Sequence, residues 1–164
     1  MRKPAAPSAK PRAANLFLDN QLCFALYATS LAMTKVYRPL LAPLGLTYPQ
    51  YIVMLALWEH GELSVGRLGE CVALDSGTLV PLIRKLKALD LVERRRSAGD
   101  DRSVLISLTA AGKRMGSRAH GVREQVACAA QCTEAECQAL MSSLQTLRGA
   151  LLASLPTTRQ AAAR

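Results

Sequence analysis

Apolar positions at the start of the chain fall into helical spacing. Leu16, Leu22, Leu26, Met33 and Leu40 recur at roughly helical intervals, with no Gly or Pro before Pro39, which predicts a long helix over 16–42. The turn-rich segment APLGLTYPQ, residues 42–50, ends it. Pro49 suits the first turn of a second helix that runs to about His60 and stops at Gly61. Ile52, Leu55 and Trp58 are its expected core positions. SVGRLGECV then predicts a short helix capped by Ser64, and ALDSGTLVPLIRKLKALD a longer one capped by Asp75. In the longer helix Leu79, Leu82, Ile83, Leu86 and Leu89 make one apolar stripe, with Ser76, Arg84, Lys85 and Lys87 largely outside it. Pro81 interrupts the ladder, but its i−4 neighbour is Gly77, so a bend is expected and not a break.

The period then changes. In LVERRRSAGDDRSVLISL two short strands, about 91–96 and 103–108, flank the polar turn SAGDDR. Thr109 caps a predicted helix over 109–131, and Thr133 with Glu136 forms a capping box for a last helix to about 154. Two short helices joined by a tight turn and followed by a hairpin describe a winged helix-turn-helix. The fold class is mainly α with a small β-hairpin.

Length and charge sharpen this. At 164 residues the chain suits one domain with a real core. Half of it is hydrophobic, yet no run approaches the ~18 apolar residues of a membrane span, so no membrane partner is expected. The basic, Pro/Ala-rich stretch 1–15 lacks the apolar core of a signal peptide and reads as a disordered arm, which points to the cytoplasm. The net charge of +9 favours an anionic partner. Residues 84–102 hold seven basic groups against four acidic ones, so DNA affinity would rest on placement more than on bulk charge. Ser76, Gly77 and Thr78 open the recognition helix, where small side chains reach base edges and free N–H groups favour phosphate. Arg84 and Lys87 are candidate phosphate contacts further along. The hairpin tip is expected to carry Arg94, Arg95, Arg96 and Arg102, with Arg102 beside the turn, where a guanidinium suits a narrow minor groove.

The hairpin segment DDRSVLISLTAAGKR resembles the D-x-R…LT-x-x-G signature of MarR-type regulators, here Asp100, Arg102, Leu108, Thr109 and Gly112. The resemblance spans about 16–155. It implies a dimeric winged-helix protein on double-stranded operator DNA, with Asp100 among the DNA-binding residues. It also implies dimerisation helices at 16–47 and 109–155 around a DNA-binding region at 48–108. The tail 156–164 is expected to be disordered.

Cysteine supplies the candidate chemistry. Five cysteines, without the dense spacing of a secreted scaffold, are expected to be mostly free thiols. Cys23 in LDNQLCFALY is either apolar packing or a reactive thiol in the first turn of a helix. Tyr27 lies at i+4 and can touch it within one chain. Tyr37 lies fourteen positions on, about 21 Å along a straight helix, out of reach of its own Cys23. An antiparallel two-fold partner would bring the two together, and phenol O–H groups stabilise a thiolate by donating to it. Cys71 reads as packing. Cys128, Cys132 and Cys137 lack metal-site spacing, and no metal or cofactor is expected. A Cys128–Cys132 bridge is disfavoured inside an intact helix.

DNQLCFALY, TKVYRPLL and GLTYPQY together resemble the organic hydroperoxide resistance regulators, a branch of the MarR family. The resemblance implies that Cys23 is the redox sensor and that Tyr27, Tyr37 and Tyr48 stabilise its thiolate, the last two from the other subunit. It further implies that Cys128 resolves the oxidised Cys23 as an intersubunit disulfide, with Cys132 as a backup. Organic hydroperoxides would then be the inducer of a homodimeric repressor, and a thiol peroxidase its regulated product. A sister regulator answering to a phenolic or other small ligand is the alternative. A peroxidase in its own right is not expected, since the DNA-binding hairpin is present and no C-x-x-C motif is.

Overall fold

The computed structural model describes residues 16–96 and 104–156. The arm 1–15, the turn with Asp100 and Arg102, and the tail from 157 lie outside the described residues. A 3-10 turn at Leu18–Asn20 precedes α1 (Leu22–Leu41), so the long helix begins later than its apolar spacing predicts. Only Leu41 of α1 is buried, and Leu22, Leu26 and Leu31 are exposed.

Helix α2 (Tyr48–His60) has Pro49 in its first turn and ends at Gly61, whose φ of 76° belongs to the left-handed half of conformational space. A capping box opens it. The Oε1 of the buried Gln50 accepts the Thr47 backbone N–H at 2.8 Å and its hydroxyl at 3.0 Å. The expected core face of α2 needs correction. Val53, Met54 and Leu57 are fully buried, with Tyr51 and Ala56 beside them, whereas Leu55 is exposed and Ile52 and Trp58 are half-buried. The helix is apolar on nearly every side, so its periodicity does not single out one face.

Strand β1 (Glu62–Ser64) adds to the expected elements. It pairs antiparallel with β3 (Val104–Leu108), which pairs in turn with β2 (Val92–Arg96), giving a three-stranded sheet in the order β1-β3-β2. The hairpin itself forms where predicted, with Val92 opposite Leu108 and Arg96 opposite Val104.

Helix α3 (Val65–Val72) starts where Ser64 Oγ accepts the Arg67 N–H at 3.2 Å. Helix α4 (Ser76–Ala88) runs unbroken through Pro81. Leu79, Ile83 and Leu86 are buried as the stripe requires, Leu82 is half-buried, and Leu89 is exposed at the C-cap. The single helix expected over 109–131 is two, α5 (Ala110–Ala119) and α6 (Val122–Ala130), parted at His120 and Gly121. Glycine is the weakest helix former after proline, and here it sits where the two helices separate. The predicted capping box opens α7 (Glu134–Ala153), with the Thr133 N–H donating to Glu136 Oε2 at 2.8 Å.

The chain forms two compact units, divided between Ser117 and Arg118. The first holds the winged helix-turn-helix, and Leu41, Val53, Met54, Leu57, Leu68, Leu79, Leu86 and Ile106 make its fully buried centre. In the second, α7 buries none of its residues and exposes Leu140, Met141, Leu144, Leu151 and Leu152. No single helix among the described residues is long and apolar enough to cross a membrane.

Candidate nucleic-acid interface and thiol site

At the start of α4, Asp75 Oδ1 accepts the Thr78 N–H at 2.9 Å and Oδ2 accepts the Thr78 hydroxyl at 2.8 Å. These two bonds, the backbone one first, hold the Asp75 carboxyl below its ordinary range, so the cap stays ionised at neutral pH. Ser76, Gly77 and Thr78 are all exposed on this turn. Arg84 and Lys87 are exposed on α4, and with Arg94 of β2 they line one open cleft of about 660 Å³ over Val80, Val104 and Ile106. Both expected phosphate contacts and one of the hairpin arginines are thereby brought together.

The other hairpin arginines divide by strand alternation. Arg94 and Arg96 fall on one face of β2, and Glu93 and Arg95 on the other. Arg95 does not stand free for DNA. Its Nε and Nη2 donate to Glu62 Oε2 and Oε1 at 2.8 and 2.7 Å, a fork-shaped pair that ties β2 to β1 across β3. Arg94 and Arg95 also lie within the strand and not at its tip. Glu62 carried no local signal, because its partner strand lies far along the sequence.

The LT-x-x-G motif joins the wing to α5. The Thr109 hydroxyl donates to the Asp90 carbonyl at 2.6 Å and accepts the Gly112 N–H at 3.0 Å. Asp90 itself takes a left-handed conformation (φ 57°) just past the end of α4. Trp58 Nε1 donates to the Gly112 carbonyl at 2.9 Å. A Cβ on Gly112 would stand 2.0 Å from the Leu91 carbonyl oxygen, so only glycine fits this crossing.

Cys23 is exposed in the first turn of α1, and Tyr27, one turn on, is exposed as well. Tyr37, near the far end of α1, stacks at a tilt on Tyr48 with ring centroids 4.7 Å apart. Tyr51, which the sequence did not single out, joins them at 5.7 Å from Tyr37 and reaches Trp58 edge-on at 6.1 Å. Its signal was the i+3 spacing from Tyr48. Burial pushes the phenols of Tyr37, Tyr48 and Tyr51 up from their ordinary value, with neighbouring phenols adding to the effect at Tyr37 and Tyr51. All three are therefore O–H donors at neutral pH. The structure joins Tyr37 to Tyr48, and α1 runs unbroken from Cys23 to Tyr37, a span of about 21 Å at the ordinary helical rise.

The remaining cysteines depart from expectation. Cys71 is exposed, not packed. It sits in the last turn of a short helix whose buried residues are Leu68 and Gly69, beside the chain reversal at Ala73 (φ 55°). Cys128 is exposed on α6. Helix α6 ends at Ala130 and Gln131 turns left-handed (φ 54°), so Cys132 lies off the helix and the helical-spacing argument against a Cys128 bridge no longer applies. Burial, and then the neighbouring Cys132 thiol, push the Cys137 thiol up.

Comparison with known proteins bears on the family and the fold. The family described as transcriptional regulator SarA/Rot matches residues 35–118. The organic hydroperoxide resistance transcriptional regulator of Bacillus subtilis (strain 168) is 45% identical over 130 residues, covering 79% of this chain and 88% of that one. AbfR of Staphylococcus epidermidis superposes with a TM-score of 0.70 at 31% identity, covering 84% of this chain and 95% of that one. Reduced AbfR bound to DNA gives 0.66 at 31% identity, covering 82% and 95%. Disulfide-formed AbfR gives 0.58 at 32% identity, covering 79% and 91%. An identity of 45% across most of both chains, on a shared winged fold, settles the family: this chain is a MarR-type winged-helix transcriptional regulator, related to the organic hydroperoxide resistance regulators.

Proposed function

We propose that the chain is a homodimeric repressor that holds operator DNA while reduced and releases it when an organic hydroperoxide oxidises Cys23. One observation carries this reading: an exposed thiol opens α1, and a protonated phenol pair sits near the other end of the same helix. A second chain whose α1 crosses antiparallel would set each pair beside the other's thiol. The exposed Leu22, Leu26 and Leu31 of α1, and Leu140, Met141 and Leu144 of α7, supply apolar surface for a second copy to cover. In this reading 16–47 and 109–155 dimerise and 48–108 bind DNA.

The chemistry runs in two steps. The Cys23 thiolate attacks the peroxide oxygen, the O–O bond breaks, an alcohol leaves, and Cys23 becomes a sulfenic acid. The thiol of the partner's Cys128 then condenses with it, forming a disulfide and releasing water. Forming that bond shifts helices and changes the separation of the two winged regions. Operator half-sites are spaced by the DNA helix, so the oxidised dimer no longer fits both. A thiol peroxidase that removes the same peroxides is the natural product to derepress. The disulfide-formed state of AbfR and the exposure of Cys128 support the two-cysteine version.

Peroxide-treated protein is expected to run as a covalent dimer on a non-reducing gel, and the Cys128→Ser variant as a monomer. A dimer that persists in Cys128→Ser assigns the resolving role to Cys132 instead. For DNA, Arg84→Ala and Lys87→Ala are each expected to lower the slope of log affinity against log salt by roughly one per lost phosphate contact. Arg95→Ala, which loses only the Glu62 pair, is expected to leave that slope nearly unchanged. Salt titrations of operator binding separate the two cases. The cleft lined by Arg84, Lys87 and Arg94 over apolar side chains favours one second reading, release by a small aromatic acid. Operator release by such a ligand under reducing, peroxide-free conditions is its signature.

A further inference from the structure

We propose that Cys132 and Cys137 form a second peroxide-oxidisable site, an intrachain dithiol that closes to a disulfide across the N-terminus of α7. The geometry comes from the capping box. Thr133 is the N-cap, with extended backbone (φ −68°, ψ 160°), and both arms of the box are made. Glu136 Oε2 accepts the Thr133 N–H at 2.8 Å, and Thr133 Oγ1 accepts the Glu136 N–H at 3.3 Å. In this motif the residue before the cap packs against the fourth residue of the helix, where two apolar side chains ordinarily meet as a staple. Those two positions are Cys132 and Cys137. The Cys132 thiol, which donates to the Ala130 carbonyl at 3.3 Å, lies close enough to Cys137 to push that thiol up. Both thiols are partly exposed, so a small peroxide reaches them.

The capping box has already ordered the chain around the pair, so closure loses little further conformational freedom. Burial, and then the Cys132 thiol, push the Cys137 thiol up, which disfavours Cys137 as the first attacker. The Cys132 thiolate attacks an organic hydroperoxide, the O–O bond breaks, the alcohol leaves and a sulfenic acid remains. Cys137 then condenses with it, giving the disulfide and one water. The two thiols supply the two electrons that reduce the peroxide. Closing the pair also removes Cys132 from competition with Cys128 for an oxidised Cys23.

The test uses the full chain with Cys23→Ser, Cys71→Ser and Cys128→Ser, which leaves two thiols of the five. After treatment with cumene hydroperoxide, alkylation is expected to find no free thiol. The tryptic peptide 124–148 is expected to be lighter by two hydrogens, and the chain to run as a monomer on a non-reducing gel. Two free thiols, a sulfinic acid beside a free thiol, or a covalent dimer would each overturn the proposal. Cys23 is absent from this variant, so failure here leaves the Cys23 reading standing, and failure of that reading leaves this one. If the triple variant does not fold, peroxide-treated Cys128→Ser protein cut after Glu134 and Glu136 decides. Fragments carrying Cys132 and Cys137 that stay joined until reduction support the dithiol, and fragments that separate overturn it.

Discussion

Gly112→Ala is expected to lower stability by about 3 kcal/mol and the melting midpoint by roughly 6–12 °C. Inside an exposed helix the same exchange ordinarily gains about 1 kcal/mol, because alanine is the better helix former. At Gly112 that gain is reversed. The added Cβ would stand 2.0 Å from the Leu91 carbonyl oxygen and 3.1 Å from its carbonyl carbon, both backbone atoms that no rotamer change can move aside. Relief requires α5 to back away from the chain between α4 and β2. That motion strains the Gly112 N–H bond to Thr109 and the Trp58 bond to the Gly112 carbonyl. Gly66→Ala is the internal control, since a Cβ there meets nothing within 4 Å. It is expected to be neutral or mildly stabilising. Thermal unfolding followed by circular dichroism compares the two, and a Gly112→Ala protein that melts with wild type would rule out the close approach as a constraint on the fold.

Much of this fold is written in local signals. Asp75 and Ser64 cap α4 and α3, Thr133 and Glu136 box α7, and Gly61 stops α2, each through an interaction that a few adjacent residues complete. The wing hairpin likewise follows from alternation on both sides of a polar turn. What the sequence hid depends on distant partners. Strand β1 is three residues long and is defined by pairing with β3, and the Glu62–Arg95 pair exists only because that pairing does. The core face of α2 is illegible in the sequence because apolar residues surround the helix and tertiary packing alone selects Val53, Met54 and Leu57. Cys71 departs from its expected burial for the opposite reason, since a short helix buries one narrow face and leaves even an apolar thiol outside it.

The thiol site was half legible. The distance from Cys23 to Tyr37 followed from helix geometry, and α1 runs without a break between them. The joining of Tyr37 to Tyr48 and Tyr51 needed α1 to pack on α2, which no spacing rule supplies. The α6–α7 turn was legible in its cap but not in its consequence. The capping box was plain in the sequence, yet the single helix predicted over 109–131 hid the break at His120 and Gly121 and the left-handed turn at Gln131 that precedes Cys132.

Cys23→Ser is expected to abolish the peroxide response while leaving the reduced-state function intact. Serine differs from cysteine by one atom, and Cys23 is exposed, so the change in stability is expected to stay within about 0.5 kcal/mol. A serine hydroxyl does not climb the oxidation ladder that a thiolate does, so no sulfenic acid forms at this position and no intersubunit bond can follow. The winged region, with Ser76, Gly77, Arg84 and Lys87, is untouched by the substitution. Anisotropy of labelled operator DNA, measured with wild-type and Cys23→Ser proteins before and after stoichiometric cumene hydroperoxide, tests the central claim most directly. Wild type is expected to release the DNA on oxidation and recover with a thiol reductant, while Cys23→Ser binds equally well before and after. Peroxide-driven release from Cys23→Ser would contradict Cys23 as the sensor.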